Sequence, residues 1–378
     1  MATEAPHETV AERPEPREVF RQCERFLGGH GVTSPRDVLA ELAATTGSDE
    51  EADRYGGGTL IEEFEREVAG LLGKEAAVFL PSGTMAQAIA LRIWSDRRGS
   101  GTVVFHPTCH LEIHEQKGYQ MLHGLHGLLV GNPHELITLG DLESIAEPAS
   151  TLLLELPQRE IGGLLPSWDE LTAQTAWARE RGISLHMDGA RLWEAGPFYG
   201  RSYAEISALF DSVYVSFYKG VGAIAGAVLA GPTDFTAGAR IWIRRHGGNL
   251  IHLYPYVISA RENLRRRLER FPHYHERAVA IARVLSNIPG IVIAPDPPQA
   301  NMMHVYLRGD REALLQASVD IAREHMLALF STLCPTQLPG HSMFELSIGD
   351  AADSVGDHEI DTLFRQIMAA GERHEAGA

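Results

Sequence analysis

The chain has 378 residues, 44% of them hydrophobic, enough to bury a full core and to divide into about two or three domains. Its formal net charge of -17 repels nucleic acid and anionic membrane surfaces unless a local basic patch intervenes. Cys23, Cys109 and Cys334 are its only cysteines and show no CxxC spacing, which gives no disulfide framework and fits a reducing, cytoplasmic compartment.

Residues 1–18 carry acids and prolines and no apolar core segment. They read as a mobile arm, not as a signal or transit peptide. Residues 19–57 form an N-terminal segment. From 58 to 260 amphipathic helices alternate with short apolar runs, the pattern of a large α/β domain with a mostly parallel sheet. Its first helix is signalled by a Thr59/Glu62 capping-box pair, by Leu60, Ile61, Phe64, Val68, Leu71 and Leu72 at helical spacing, and by Gly73 as C-terminal cap. A strand is expected at once, in Ala76 to Leu80. Further strands are expected at Thr102 to Phe105, Leu152 to Leu156, Ile183 to Met187, Ser212 to Phe217 and Ala223 to Ala230. The last is the longest strongly apolar stretch and falls far short of the roughly 20 residues of a membrane span. In 261–378 a charged helix comes first. Its arginine-dense stretch, Arg261 to Arg270, holds Leu264 and Leu268 at helical spacing and reads as a solvated face, not a nucleic-acid site. Ile291 to Ala294, Met302 to Tyr306, a helix near 311–329 and Met343 to Ile348 complete a smaller α+β domain.

Ligands of open α/β sheets sit beyond the carboxyl ends of the strands, where this chain places Pro81-Ser82-Gly83-Thr84, His106, Pro157-Gln158-Arg159, Asp188-Gly189 and Tyr218-Lys219-Gly220. Only three lysines are present: Lys74, Lys117 and Lys219. Lys74, beside the cap Gly73, reads as a surface position, and Lys117 lies in a polar stretch. Lys219 follows an apolar strand and precedes Gly220 and Gly222, so its amine is expected to be partly desolvated with a lowered pKa; the alternative is a strand-end lysine meeting solvent. Asp188 is followed by Gly189 and Ala190, too small to shield a carboxylate, and needs a cation nearby. That cation is either Arg191 or the ring nitrogen of a cofactor. The turn at Ser82-Gly83-Thr84 makes either an anion site for a phosphate or an ordinary N-cap. His110 and His114, four apart, with His123 and His126 nearby, invite a zinc reading, but no third ligand has a definite spacing and no metal is expected.

Several strings together resemble the threonine aldolase and β-eliminating lyase family of pyridoxal 5′-phosphate (PLP) enzymes. They are Tyr55-Gly56, Pro81 to Ala86, Glu155 with Gly162-Gly163-Leu164-Leu165-Pro166, His186-Met187-Asp188-Gly189-Ala190-Arg191, and Ser216-Phe217-Tyr218-Lys219-Gly220. The resemblance implies an α/β, PLP-dependent transferase-like fold (fold type I), with a mostly parallel sheet in the large domain and a smaller α+β C-terminal domain. It implies Lys219 as the Schiff-base lysine and Asp188 as partner of the pyridine nitrogen. Ser82, Gly83 and Thr84 would lie at the phosphate, with Ser216 among the cofactor contacts. Arg191 would lie near the ring oxygen or the substrate carboxylate. His110 would stack on the cofactor and move a proton at the substrate's β-hydroxyl. A homodimer or homotetramer with shared sites, acting on a small amino acid, is implied as well.

The chain departs from the family at the carboxylate contacts. Gly29 falls at a serine position, His341 at an arginine position, and His246-Gly247-Gly248-Asn249 lacks the usual following arginine. Arg159 is a candidate replacement, or else forms a salt bridge with Glu160 or a neighbour. The expected activity is cleavage of a β-hydroxy-α-amino acid to glycine and an aldehyde. Alternatives are β-elimination, racemisation or transaldol exchange on the same scaffold and, in a different class, a non-catalytic PLP-binding protein or a zinc hydrolase.

Overall fold

The computed structural model describes residues 16–375. Of the expected arm, residues 1–15 lie outside that range, and Pro16 already opens a helix, Pro16–Gln22. It is followed by a two-residue strand, β1 (Arg25–Phe26). The helix Thr59–Leu72 ends on Gly73 in the left-handed conformation, as expected. It is capped one residue earlier than expected, by Gly58, whose φ of 140° only glycine adopts easily. The expected capping box does not form: Glu62 accepts the Gly58 N–H at 3.2 Å and not that of Thr59.

Seven strands form the large sheet: β2 (Ala76–Leu80), β3 (Thr102–Phe105), β4 (His126–Leu129), β5 (Thr151–Glu155), β6 (Ser184–Gly189), β7 (Ser212–Ser216) and β8 (Ala227–Gly231), in the order β2-β8-β7-β6-β5-β3-β4. β8 runs antiparallel to both neighbours and every other pairing is parallel. Strands of such a sheet are covered on both faces and read as apolar runs, and every residue of β7 and β8 is buried. β4 lies at the edge, with its two end residues exposed. Its apolar run is short, Leu128 to Val130, and His126-Gly127 breaks it off from Leu125. Half of the run Ala223 to Ala230 is loop, because Gly226 turns with a φ of 109° and its space on the Cβ side is filled by the Phe79 ring.

The helix Tyr254–Arg267 passes through the expected boundary after residue 260. Beyond it, β9 (Ile291–Ala294) and β10 (Met302–Arg308) are joined by a short strand β12 (Cys334–Pro335) and by β13 (His341–Ser347) in an antiparallel sheet of order β12-β13-β10-β9. Between them β11 (Leu327–Ala328) pairs in parallel with β1, tying the N-terminal segment to this half of the chain. One apolar core runs through both halves, including Leu152, Leu185 and Phe217 of the first and Met303, Val305 and Phe344 of the second.

The arginines of 261–270 are spent on acids: Arg261 on Glu50 (2.5 Å), Arg265 on Glu67 (2.6 Å), Arg266 on Glu41 (2.5 Å), Arg267 on Asp350 (2.8 Å) and Arg270 on Asp353 (2.7 Å). They offer no bare basic face. All three cysteines are unpaired, and among the described residues no helix is long and apolar enough to cross a membrane.

Candidate active site

The parallel strands bring β2, β5, β6 and β7 to end at one edge of the sheet. β2 passes through Pro81 and Ser82 into the 16-residue helix Gly83–Arg98. Ser82 makes no side-chain capping bond there, and while the Gly83 N–H serves the Tyr218 hydroxyl, the Ser82 hydroxyl and the Thr84 and Met85 N–H groups are left open to an anion among the described residues. Thr84 is exposed in the same turn. Gly83 has to be glycine: a Cβ would overlap the Tyr214 hydroxyl, which is 3.1 Å from that of Tyr218.

On the next strands Asp188 of β6 and Glu155 of β5 lie side by side in register. Asp188 is 3% exposed, and its Oδ1 accepts the Ala190 N–H at 3.1 Å. Burial raises its pKa, and the Lys219 ammonium offsets this in part. The Glu155 carboxyl, desolvated and beside the Asp188 charge, is pushed up to about 8, although the Arg159 N–H donates to it at 3.2 Å. Lys219 has its pKa lowered by burial and by the Arg191 guanidinium, the direction expected for a desolvated strand-end amine. His186 serves the core: it is fully buried between Ser212 Oγ (2.8 Å) and Gln87 Oε1 (2.7 Å), and burial brings it down to about 3. Ser216 donates its hydroxyl to the Ala190 carbonyl at 2.7 Å, which braces the Asp188 turn from beneath.

The loop carrying Lys219 is held from outside the sheet. His30 Nε2 bonds the Gly220 carbonyl at 2.8 Å, Arg267 Nη1 donates to the Val221 carbonyl at 2.7 Å, and the Gly222 N–H returns to the Lys219 carbonyl at 2.8 Å. Gly222 has a φ of 77°, and a Cβ there would come within 2.9 Å of His30 and 3.0 Å of Arg267. Nothing in the local sequence announced His30 or Arg267. Lys74, expected at the surface, is instead half-buried and donates to the carbonyls of Ser207 (2.8 Å) and Phe210 (2.5 Å), and desolvation lowers it to about 8.

His110 opens a short helix, His110–Ile113, and its Nδ1 meets Glu115 Oε1 at 3.0 Å. Of the four imidazoles raised as zinc candidates, His110 and His114 stay neighbours, with ring centroids 5.0 Å apart, but each of the four has its own surroundings. His114 turns to Glu160 at 2.8 Å, His123 to His246 at 2.9 Å, and His126 is exposed at the start of β4. Among the described residues no three His, Cys, Asp or Glu side chains gather as a metal site requires.

Arg191 does not turn to Asp188. Its Nη1 lies 3.4 Å from Glu194 and its Nη2 3.2 Å from Glu345, while its buried Nε has no acceptor among the described residues. Arg159 stands in a 3-10 turn, Arg159–Ile161. It pairs with Glu160 at 2.5 Å and, through Nε, with Glu345 at 2.8 Å. The two arginines therefore converge, with Glu345 of β13 between them. His341 is not brought to this point. It begins β13, four residues and about 13 Å of strand before Glu345, and bonds the Pro339 carbonyl in its own turn at 3.1 Å. Gly29 has a φ of 67° and is fixed by its N–H to the Ser347 carbonyl at 2.8 Å. Sequence reading missed Glu345 and Glu115; an acid inside the apolar strand Met343-Phe344-Glu345-Leu346 was the one signal for the former.

The β-eliminating lyase family model matches residues 32–308. Low-specificity L-threonine aldolase 1 of Arabidopsis thaliana is 30% identical over 284 residues, 72% of this chain and 78% of that protein. A solved structure from Listeria monocytogenes EGD-E, provisionally assigned as an L-allo-threonine aldolase, has a TM-score of 0.90 and 44% identity over 94% of this chain and 98% of that one. Serine palmitoyltransferase from Sphingomonas wittichii shares the fold, with a TM-score of 0.68 at 19% identity over 93% of this chain and 88% of that one.

Proposed function

Because the chain belongs to the β-eliminating lyase family, whose members are PLP-dependent lyases, we propose that it cleaves a threonine-like β-hydroxy-α-amino acid to glycine and an aldehyde. The observation that carries this reading is the gathering of Lys219, Asp188 and the uncapped start of the helix Gly83–Arg98 at one edge of the sheet. The residues present fit PLP. Asp188 is a buried carboxylate with a raised pKa, suited to a cationic ring nitrogen. The Ser82 hydroxyl and the Thr84 and Met85 N–H groups offer donors to a phosphate, and the Lys219 amine, with its pKa lowered, is suited to covalent attachment. When bound, PLP supplies an electron-accepting ring that allows bonds at the substrate's α-carbon to break.

The chain's own residues do the rest. Asp188 holds its negative charge against the ring nitrogen. Glu115 takes the Nδ1–H of His110, leaving Nε2 to accept the β-hydroxyl proton while the Cα–Cβ bond breaks and Cβ departs as an aldehyde. Arg191 and Arg159 supply the forks for the α-carboxylate. Relatives named threonine aldolases support the substrate class. Its test is to incubate the PLP-loaded protein with L-threonine, L-allo-threonine and bulkier β-hydroxy amino acids. Aldehyde and glycine in equal amounts are expected; ammonia and a 2-oxo acid without aldehyde would assign β-elimination instead.

We also propose a symmetric homodimer or homotetramer. Support comes from the family resemblance and from apolar side chains left exposed on neighbouring segments: Met121 (78%), Leu122 (68%), Ile241 (57%) and Ile251 (47%). Light scattering that finds a fully active monomer contradicts it.

A further inference from the structure

Each arginine proposed to hold the substrate's carboxylate already has acidic partners, and one acid is common to both. Arg191 gives Nη1 to Glu194 and Nη2 to Glu345, and Arg159 gives Nη1 to Glu160 and Nε to Glu345. These acids are not equivalent. Glu194 is 1% exposed and stands on the helix that Arg191 itself caps, Leu192–Tyr199; Glu160 is the chain neighbour of Arg159. Both are fixed companions. Glu345 comes from the other sheet, is 23% exposed, and is the only one of the three to bridge the two guanidinium groups.

On β13 the odd-numbered residues face one way, and Glu345 stands opposite His304 of β10, with the Ser347 hydroxyl 3.5 Å from its Oε1. It borders a cleft of ≈ 860 Å³ lined also by Gly28, Gly29, Phe330 and Ser347, so its carboxylate has room to swing away. What it would vacate is a pair of guanidinium donors, Arg191 Nη2 and Arg159 Nε, beside the buried Arg191 Nε, which has no acceptor among the described residues. A buried donor without an acceptor favours a ligand that brings one.

We propose that Glu345 is a carboxylate latch: it occupies the Arg191–Arg159 fork until the α-carboxylate of an amino acid displaces it, and it thereby sets the enzyme's affinity for amines that carry a carboxylate. This rests on the reading that the two arginines hold the substrate carboxylate. Two carboxylates cannot share the fork without repulsion, so the latch opposes every carboxylate ligand. A ligand lacking that group leaves it closed.

The experiment is calorimetric titration of the PLP-loaded protein with glycine and with methylamine, which is glycine without the carboxylate, in wild type, Glu345→Gln, Glu345→Ser and Arg159→Ala. Both Glu345 variants are expected to bind glycine about tenfold more tightly, about 1.4 kcal/mol, with methylamine affinity unmoved, while Arg159→Ala binds glycine more weakly. If Arg159→Ala weakens glycine but the Glu345 variants bind it no better or worse, the fork stands and the latch is overturned: Glu345 then only props the arginines. If Arg159→Ala leaves glycine affinity as it was, the fork itself is wrong and the latch falls with it.

Discussion

Asp188 and Glu155 end adjacent strands in register, and two desolvated carboxyl groups so placed do not both ionise near neutrality. Asp188 has Lys219 as its main counter-charge, so the shared proton belongs on Glu155, whose pKa is pushed from 4.5 up to about 8. The folded chain thus binds more protons than the unfolded chain between about pH 4.5 and pH 8, and stability falls as pH rises through that window. Below about pH 4.5 the group is protonated in both states, so stability no longer changes with pH through it and its contribution is at its full value. Glu155→Gln removes the slope while keeping the shape. Its melting temperature is expected to gain on wild type progressively from pH 5 to pH 8.5. Parallel melting curves for the two proteins across that range would show that Glu155 is ionised in the fold.

At this scale the sequence disclosed what a strand end advertises. Lys219 and Asp188 were legible because a charged residue directly after an apolar run has few reasons to be there. Arg159 was legible as a guanidinium in want of a partner, and the expected salt bridge to Glu160 is present. Glu345 was not legible, since its role depends on β13 meeting the ends of β5 and β6 across two sheets. His341 was misplaced for the same reason, four residues out of step on a strand whose register no local pattern fixes.

Among the elements, strands announced by unbroken apolar runs were read closely: β2, β3 and β9 match their expected bounds, although β2 and β9 lie at sheet edges. β4 was missed because only its second half, Leu128-Leu129, is apolar, and His126-Gly127 breaks the run before it. The helix expected to run to residue 329 stops at His325, where Met326 turns into the left-handed region and Leu327–Ala328 leave as β11 to meet β1. Apolar residues that serve a two-residue strand look the same as the last turn of a helix. The start of the first large helix was read one residue late, because the Thr59 to Glu62 spacing suggests a cap while the left-handed Gly58 supplies the turn.

Across the molecule, the α/β order and the smaller second half followed from alternation alone, but not the way in which the second half reaches back. His30 of the N-terminal segment and Arg267 of the connecting helix hold the loop after Lys219, and Asp350, far along the chain, binds both of them at 3.1 and 2.8 Å. Glu345 joins the small sheet to the strand ends in the same way. Such long-range ties have no local pattern to betray them, and they place three separate parts of the chain around one amine. That amine has two rivals, Lys74 and Lys117. Lys74 is the serious one, since it too is half-buried with its pKa lowered to about 8, although both carbonyls it serves lie away from the carboxyl ends of the strands. Borohydride reduction of the PLP-loaded protein followed by peptide mass mapping distinguishes all three. The cofactor mass is expected on the peptide containing Lys219 and absent from Lys219→Ala; its appearance on Lys74 or Lys117, or its persistence in Lys219→Ala, would contradict the site described above.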